Sequence, residues 1–111
     1  MEKQITLLGN QYKIAFNMAT EIAYEEISGQ GFDMEALAKT KNTAILYLAA
    51  ILANNPDSDL TLDDILFRAT LPEIAELRTA VLDSMTEWMR IPEVMKDGKA
   101  KEEKEKDPKN A

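Results

Sequence analysis

The stretch Thr43–Ala53, TAILYLAAILA, is the feature that most constrains what this chain can fold into. Nine of its residues are alanine, isoleucine or leucine, and Tyr47 adds an apolar ring with a polar tip. A helix that is apolar on every side has no face to leave in water, so other elements must surround it. Such a stretch rises only about 17 Å, well short of the roughly 30 Å core of a bilayer. It therefore predicts a buried central helix and not a membrane span.

The chain length and composition predict one small domain followed by a charged tail. With 111 residues, 45% of them hydrophobic, the chain suits a single modest core. We expect this domain to span residues 1–94. Residues 95–111 should be disordered, because the final segment KDGKAKEEKEKDPKNA contains no large apolar residue. The start of the chain, MEKQITLLGN, has no long apolar core behind a basic flank, which favours a cytoplasmic protein without a signal peptide.

The residue types that are missing limit the possible chemistry. The chain has no cysteine and no histidine, so it lacks thiolates, the commonest general base and the commonest metal ligand. Residues 1–95 carry 15 acidic and 7 basic side chains, and so acidic a body repels the phosphate backbone of nucleic acids. We therefore expect no nucleic-acid binding, while basic protein partners remain possible.

The segment ITLLGNQYKIAF predicts a β-hairpin. Gly9 and the asparagine after it form the expected two-residue turn, since glycine supplies the positive φ that such turns need. This turn sets Leu7 opposite Tyr12 and Ile5 opposite Ile14, so that all four share one face. A lone hairpin is marginal in water, so we expect this face to lie on the helices.

Capping signals predict four or five helices after the hairpin. Asn17 should cap a first helix that ends near Ile27, with Gly29 as its stop. Its glutamates, Glu21, Glu25 and Glu26, should point outward, and its predicted inward stripe consists of Met18, Ala19, Ile22, Ala23 and Ile27.

Further start and stop signals define the remaining helices. The predicted helices are a short one over 34–39, the central one from Thr40, one over 62–69 that starts at a capping box of Thr61 and Asp64, and a last one over 70–91 that Pro92 limits. The predicted fold class is α+β but mostly α, with an N-terminal hairpin packed on a bundle of four to five helices.

No pattern in the chain predicts a catalytic, cofactor or metal site. The alternating acids of residues 57–63 begin like a calcium loop, but Leu62 and Arg68 stand where the turn glycine and the bidentate glutamate belong. The glutamates of the first helix imply no pocket around them. The serines have no histidine base, and the glycines at 29 and 31 lack the rest of a phosphate loop. We therefore expect a protein that is not an enzyme.

The last helix carries the apolar residues that most resemble a partner-binding surface. Methionine and tryptophan suit adaptable interfaces. Met85 and Trp88 either close the core beneath the hairpin, which their place in the stripe favours, or contact a partner. Met89, Ile91 and Met95 are the better interface candidates, because they lie past the main stripe.

Three stretches together resemble the tail assembly chaperones of long-tailed bacteriophages. The first is the hairpin pattern I-x-L-x-G-x-x-Y-x-I-x-F, and the second is FNMATEIAYEEISGQGFD, an acidic helix with a closing glycine. The third is AILYLAAILANNPDSDLTLDDI, an apolar helix, a loop and a restart of the form L-T-x-[DE]-[DE]-I. The resemblance spans about residues 4–90, and it concerns positions that determine the fold.

The resemblance implies a non-enzymatic role inside the bacterial host cell. Such chaperones bind the long helical tape measure protein, help to recruit tail tube protein and are absent from the mature virion. They are usually made in two lengths by ribosomal frameshifting, for which the KAKEEKEK segment is a plausible location. From their residue types and positions we predict that Trp88, Met89, Ile91 and Met95 form the partner-binding edge. The alternative is an acidic helical regulatory module that binds a basic partner, and a homo-oligomer through the hairpin edge is possible.

Overall fold

The computed structural model describes residues 2–89 of the chain. Two antiparallel strands form an N-terminal hairpin, and three α-helices follow: β1 (Lys3–Leu7), β2 (Asn10–Ile14), α1 (Met18–Ser28), α2 (Thr40–Leu52) and α3 (Leu71–Met89). A short 3-10 helix, Met34–Ala38, precedes α2, and a π-helical segment, Asp64–Arg68, precedes α3. The predicted class, α+β and mostly helical with an N-terminal hairpin, is confirmed. The predicted disordered tail, 95–111, lies outside the described residues.

The central helix α2 is buried as predicted. Every residue from Ala44 to Ile51 is buried, and α1, α3 and β2 all contact this helix. The core therefore forms around α2, and the hairpin closes it by packing against α2 and α3. Among residues 2–89, no helix is both long and apolar enough to cross a membrane.

The hairpin has the predicted faces, but the predicted register is wrong. Ile5 pairs with Tyr12 and Leu7 with Asn10, so the turn is Leu8-Gly9. Both turn residues have positive φ, 52° and 84°, as a two-residue primed turn requires. The observed register differs from the predicted one by two residues. Because side chains alternate with a period of two, this shift leaves the same residues on the buried face.

A contact that is distant in sequence explains why the turn includes Leu8. The Leu8 N–H donates to Glu73 Oε2 at 2.9 Å, and Leu8 is partly buried against the core. Glu73 also accepts the Thr70 N–H through Oε1 at 2.8 Å, which caps the start of α3. One carboxylate thus joins the hairpin turn to α3, and this attachment stabilises a leucine in a conformation that usually favours glycine or asparagine.

The predicted inward stripe of α1 is wrong except at Ala23, which packs against the core, although the ends of the helix are as expected. Asn17 caps the start and Gly29, at φ 76°, ends the helix. The residues of α1 that are buried are Thr20 and Tyr24, whereas Met18 and Ile22 are 60% and 52% exposed. The helix is therefore rotated relative to the prediction.

Local hydrogen bonds and aromatic packing account for this rotation. Thr20 takes part in the capping box and its hydroxyl donates to the Ala15 carbonyl at 2.8 Å, which directs the side chain inward. Tyr24, one turn later, meets the Phe32 ring edge-on at 5.5 Å between centroids. An aromatic ring buries more apolar area than the side chains that the prediction placed inside.

Polar side chains from the later part of the chain hold the hairpin in place. Asn55 pairs with the backbone of Lys13, since its Oδ1 accepts the Lys13 N–H at 3.1 Å and its Nδ2 donates to the Lys13 carbonyl at 2.7 Å. Ser84 Oγ accepts the Phe16 N–H at 2.8 Å in buried surroundings. These bonds fix β2 and its exit against α2 and α3.

The helix predicted over 62–69 begins as expected but widens into the π-helical segment. The capping box is present, with the Thr61 N–H donating to Asp64 Oδ2 at 3.0 Å and the Asp64 N–H donating to Thr61 Oγ1 at 3.2 Å. Leu60 and Ile65, on either side of this capping box, are both buried, as in a hydrophobic staple. The wider turn was not predicted.

Candidate functional site: exposed apolar surfaces

The predicted partner-binding edge lies at the end of α3. Trp88 is 38% exposed and Met89 is 36% exposed. The Trp88 ring also meets the Phe16 ring edge-on at 5.4 Å between centroids, whereas Met85, one turn earlier, is buried in the core. Trp88 therefore combines a packing role with an exposed surface. Ile91 and Met95 lie outside the described residues.

Trp88 belongs to an aromatic cluster that we define as Phe16, Tyr24, Phe32 and Trp88. Phe16 also contacts Phe32, with 5.4 Å between ring centroids. The Tyr24 hydroxyl is buried and has no hydrogen-bond partner among the described residues. Burial raises the pKa of this phenol above its usual value, and the Asp33 carboxylate raises it further. The cluster joins the hairpin exit, α1 and α3 at one point.

The rotation of α1 creates an apolar surface that the sequence did not predict. We call it the α1 groove, a depression of about 330 Å³ between α1 and the end of α2. Its lining residues are Ala19, Ile22, Ala23, Glu26, Ile27, Leu52 and Ala53. Ile22, which lines the groove, is 52% exposed and therefore more exposed than Trp88 and Met89 at the predicted edge.

A second unpredicted surface surrounds the π-helical segment. We call it the π-turn patch, formed by Leu66, Phe67 and Leu71. Phe67 and Leu71 are each 80% exposed. A π-helical turn is often found at functional positions. Nothing in the spacing of these residues distinguished them from an ordinary helix, so sequence reasoning could not select them.

The shifted carboxylates of the described residues have structural explanations. The pKa of Asp64 is lowered because the carboxylate accepts the Thr61 N–H, with Arg68 lowering it further. The pKa of Glu73 is lowered because it accepts the N–H groups of Thr70 and Leu8. Both carboxylates lie in the first turn of a helical segment and accept backbone N–H groups there. No group of three or more possible metal-ligating side chains is present in the part of the chain that the structure describes.

The candidate site is thus an arrangement of exposed apolar surfaces. These surfaces can bury apolar side chains of another molecule, and acidic residues lie beside one of them, since Glu26 lines the α1 groove. The exposed residues of α1 carried a detectable signal, because their apolar spacing was recognised and only their direction was misjudged. No protein-family model, curated protein or solved structure matches this chain.

Proposed function

We propose that this protein is a tail assembly chaperone that covers apolar helical segments of a tape measure protein. One observation carries the proposal. Ten large hydrophobic side chains of residues 2–89 are at least 36% exposed on this acidic domain. Soluble monomers rarely expose large contiguous apolar patches, so a patch of this kind usually marks an interaction site. The resemblance of the three sequence stretches to tail assembly chaperones supplies the identity of the partner.

The physical role follows from the exposed apolar patches and the negative net charge together. Apolar patches bind the apolar faces of a partner's helices and keep them from water. The negative charge of the chain, −7 in total, keeps the complex soluble while the partner is held. Tail tube subunits that bind the partner more favourably then displace the chaperone, which is how the resemblance implies that tail assembly proceeds.

The test is a pull-down with the tape measure protein encoded beside this gene. The two chains are co-expressed, and capture is measured as the salt concentration rises. Capture that survives high salt supports the proposal, because apolar burial is insensitive to screening. Loss of capture at moderate salt favours the alternative of an acidic regulatory module on a basic partner, because exposed charge pairs are screened over about 8 Å at physiological ionic strength.

The predicted edge at the end of α3 has its own test. Replacing Met89 and Met95 with serine should leave the fold intact and weaken capture of the tape measure protein. Unchanged co-purification would remove this edge from the binding surface while leaving the chaperone role open at the other patches.

The gene itself offers an independent test. A slippery heptamer in the codons beneath residues 96–109, followed by an overlapping frame and a gene for a very long helical protein, supports the chaperone assignment. A gene neighbourhood without these features contradicts it.

A further inference from the structure

The fold explains only part of the apolar lining of the α1 groove. Ala23 and Leu52 pack against the core, whereas Ile22 and Ile27 are 52% and 36% exposed. Thr20 and Tyr24 form the core-facing side of α1, so Met18 and Ile22 stay exposed on the surface. An apolar side chain that stays exposed does not contribute the favourable free energy of transfer from water to the stability of the fold. A stripe of this kind on a short, well-capped helix is best explained by an occupant that covers it.

The shape of the groove suits a helix. Small side chains, Ala19 and Ala53, lie in the lining beside the larger Ile22 and Leu52. Such an alternation lets the ridge of a second helix enter between larger side chains and brings the two backbones close. The eleven residues of α1 span about 16 Å, so the surface accommodates three turns of a partner helix.

The charges around the groove select the partner. Glu26 lines it, and Glu25 is exposed beside Ile22, three residues away on the same helix. Neither α1 nor the loop 53–59 after α2 contains a lysine or arginine. Within α2, the basic residue is Lys41, about 16 Å along the helix from Leu52. The groove is therefore apolar with an acidic rim.

This charge distribution disfavours a second copy of the chain as the occupant. Two α1 surfaces facing each other would bring their glutamates together without a cation from either helix, and like charges in close contact are repulsive. A helix with lysine or arginine beside its apolar face would instead place opposite charges together.

We propose that the α1 groove binds one amphipathic helix whose apolar face is flanked by lysine or arginine. This inference rests on the proposed function, since it names the surface and the partner chemistry through which the chaperone covers a helix. It places the main docking surface on α1 and not on the predicted edge at Trp88 and Met89.

The experiment uses the full chain and synthetic peptides. The probe is an amphipathic peptide of about 14 residues, long enough to cover α1, with leucine and alanine on one face and lysine elsewhere. One control peptide has glutamate in place of lysine, and a second has the lysine sequence scrambled so that no apolar face forms. Binding is followed by fluorescence anisotropy. The lysine peptide should bind at least about tenfold more tightly than either control, because only it offers both complementary features.

Variants on the surface locate the site. Ile22→Ser should weaken binding about tenfold, the factor expected when a buried isoleucine contact is lost, while Phe67→Ser in the π-turn patch should change it less than about twofold. Glu26→Lys should weaken binding at low salt, and the difference should shrink as salt is added. Glu76→Lys, an exposed glutamate of α3, is the matched control. All four positions are outside the core, so thermal melting should show unchanged folding.

Several results would overturn the inference. Loss of binding in Phe67→Ser with none in Ile22→Ser moves the site to the π-turn patch. A dimer that Ile22→Ser dissociates assigns the groove to a second copy, and tighter binding of a peptide with the sequence of residues 90–101 assigns it to the chain itself. Equal binding of the glutamate peptide refutes the charge argument.

The same variants separate this inference from the proposed function. If Ile22→Ser still captures the tape measure protein at wild-type level, the groove is not the docking surface and the chaperone role stands. If wild type captures no tape measure protein while the lysine peptide binds at Ile22, the groove is a helix-binding site and the chaperone assignment is wrong.

Discussion

The bond between Ser84 and Phe16 provides the most direct test of how the hairpin is held. Ser84 is fully buried on α3, and its Oγ accepts the Phe16 N–H at 2.8 Å. Ser84→Ala leaves this buried N–H without that acceptor, which costs about 1–3 kcal/mol. The better helix propensity of alanine offsets at most about 0.5 kcal/mol of this. We expect the free energy of unfolding to fall by about 1.5 kcal/mol.

Urea denaturation measures this change. For a domain of this size the dependence on urea is roughly 1.5 kcal/mol/M, so the midpoint should fall by about 1 M. The chain contains one tryptophan, and Trp88 contacts Phe16, so its fluorescence reports on this region while far-UV circular dichroism follows the helices. Thr79→Ala, at an exposed position of the same helix, measures the propensity effect alone. This control should raise the midpoint slightly, because alanine has the better helix propensity. If Ser84→Ala does not lower the midpoint below that of the wild type, the bond does not stabilise the fold and the reasoning is refuted.

Three further predictions follow from other contacts. Tyr24→Phe should raise the free energy of unfolding by about 1 kcal/mol and the melting temperature by about 4–8 °C, because it removes a buried hydroxyl that lacks a partner; a clear loss of stability would show that the hydroxyl is hydrogen-bonded. The lowered pKa of Glu73 makes its contribution fully present above the ordinary value of 4.5 and lost as the pH falls further. Glu73→Gln should therefore flatten the decline of stability below that pH, and an equally steep decline in urea midpoints measured across this pH range would contradict the prediction. Gly29→Ala should lower the stability by about 1 kcal/mol, because alanine is strained at the positive φ that ends α1, and an unchanged melting temperature would contradict this.

The hairpin shows what local sequence rules can and cannot predict. The alternation of apolar residues identified the buried face correctly, because a period of two is visible within a few residues. The position of the turn was predicted from the preference of glycine and asparagine for positive φ. The observed turn instead includes Leu8, whose N–H bonds to a carboxylate 65 positions away. No local rule contains that contact.

The error at α1 has a related cause. Counting apolar residues at helical spacing predicted a correct helix but the wrong inner face. Thr20 lies inside because it completes the cap and donates to Ala15, and Tyr24 because other parts of the chain supply its aromatic neighbours. The burial of the central helix α2 was easier to predict, since a segment that is apolar on all sides has no outer face that could be confused with the inner one. The α1 groove and the π-turn patch were missed because they depend on this rotation and on the π-helical segment.

The polar contacts that hold the hairpin have a consequence for the order of events during synthesis. Asn55 gives the outer edge of β2 the bonds that a neighbouring strand would otherwise make. It follows Lys13 by 42 positions, so at 5–20 residues per second it leaves the ribosome about 2–8 s later. Ser84 arrives about 3–14 s after Phe16, which it follows by 68 positions. During that interval the edge of β2 can pair with a strand of another nascent chain. The hairpin is synthesised first, but the bonds that hold it in place form only after the later helices have been synthesised.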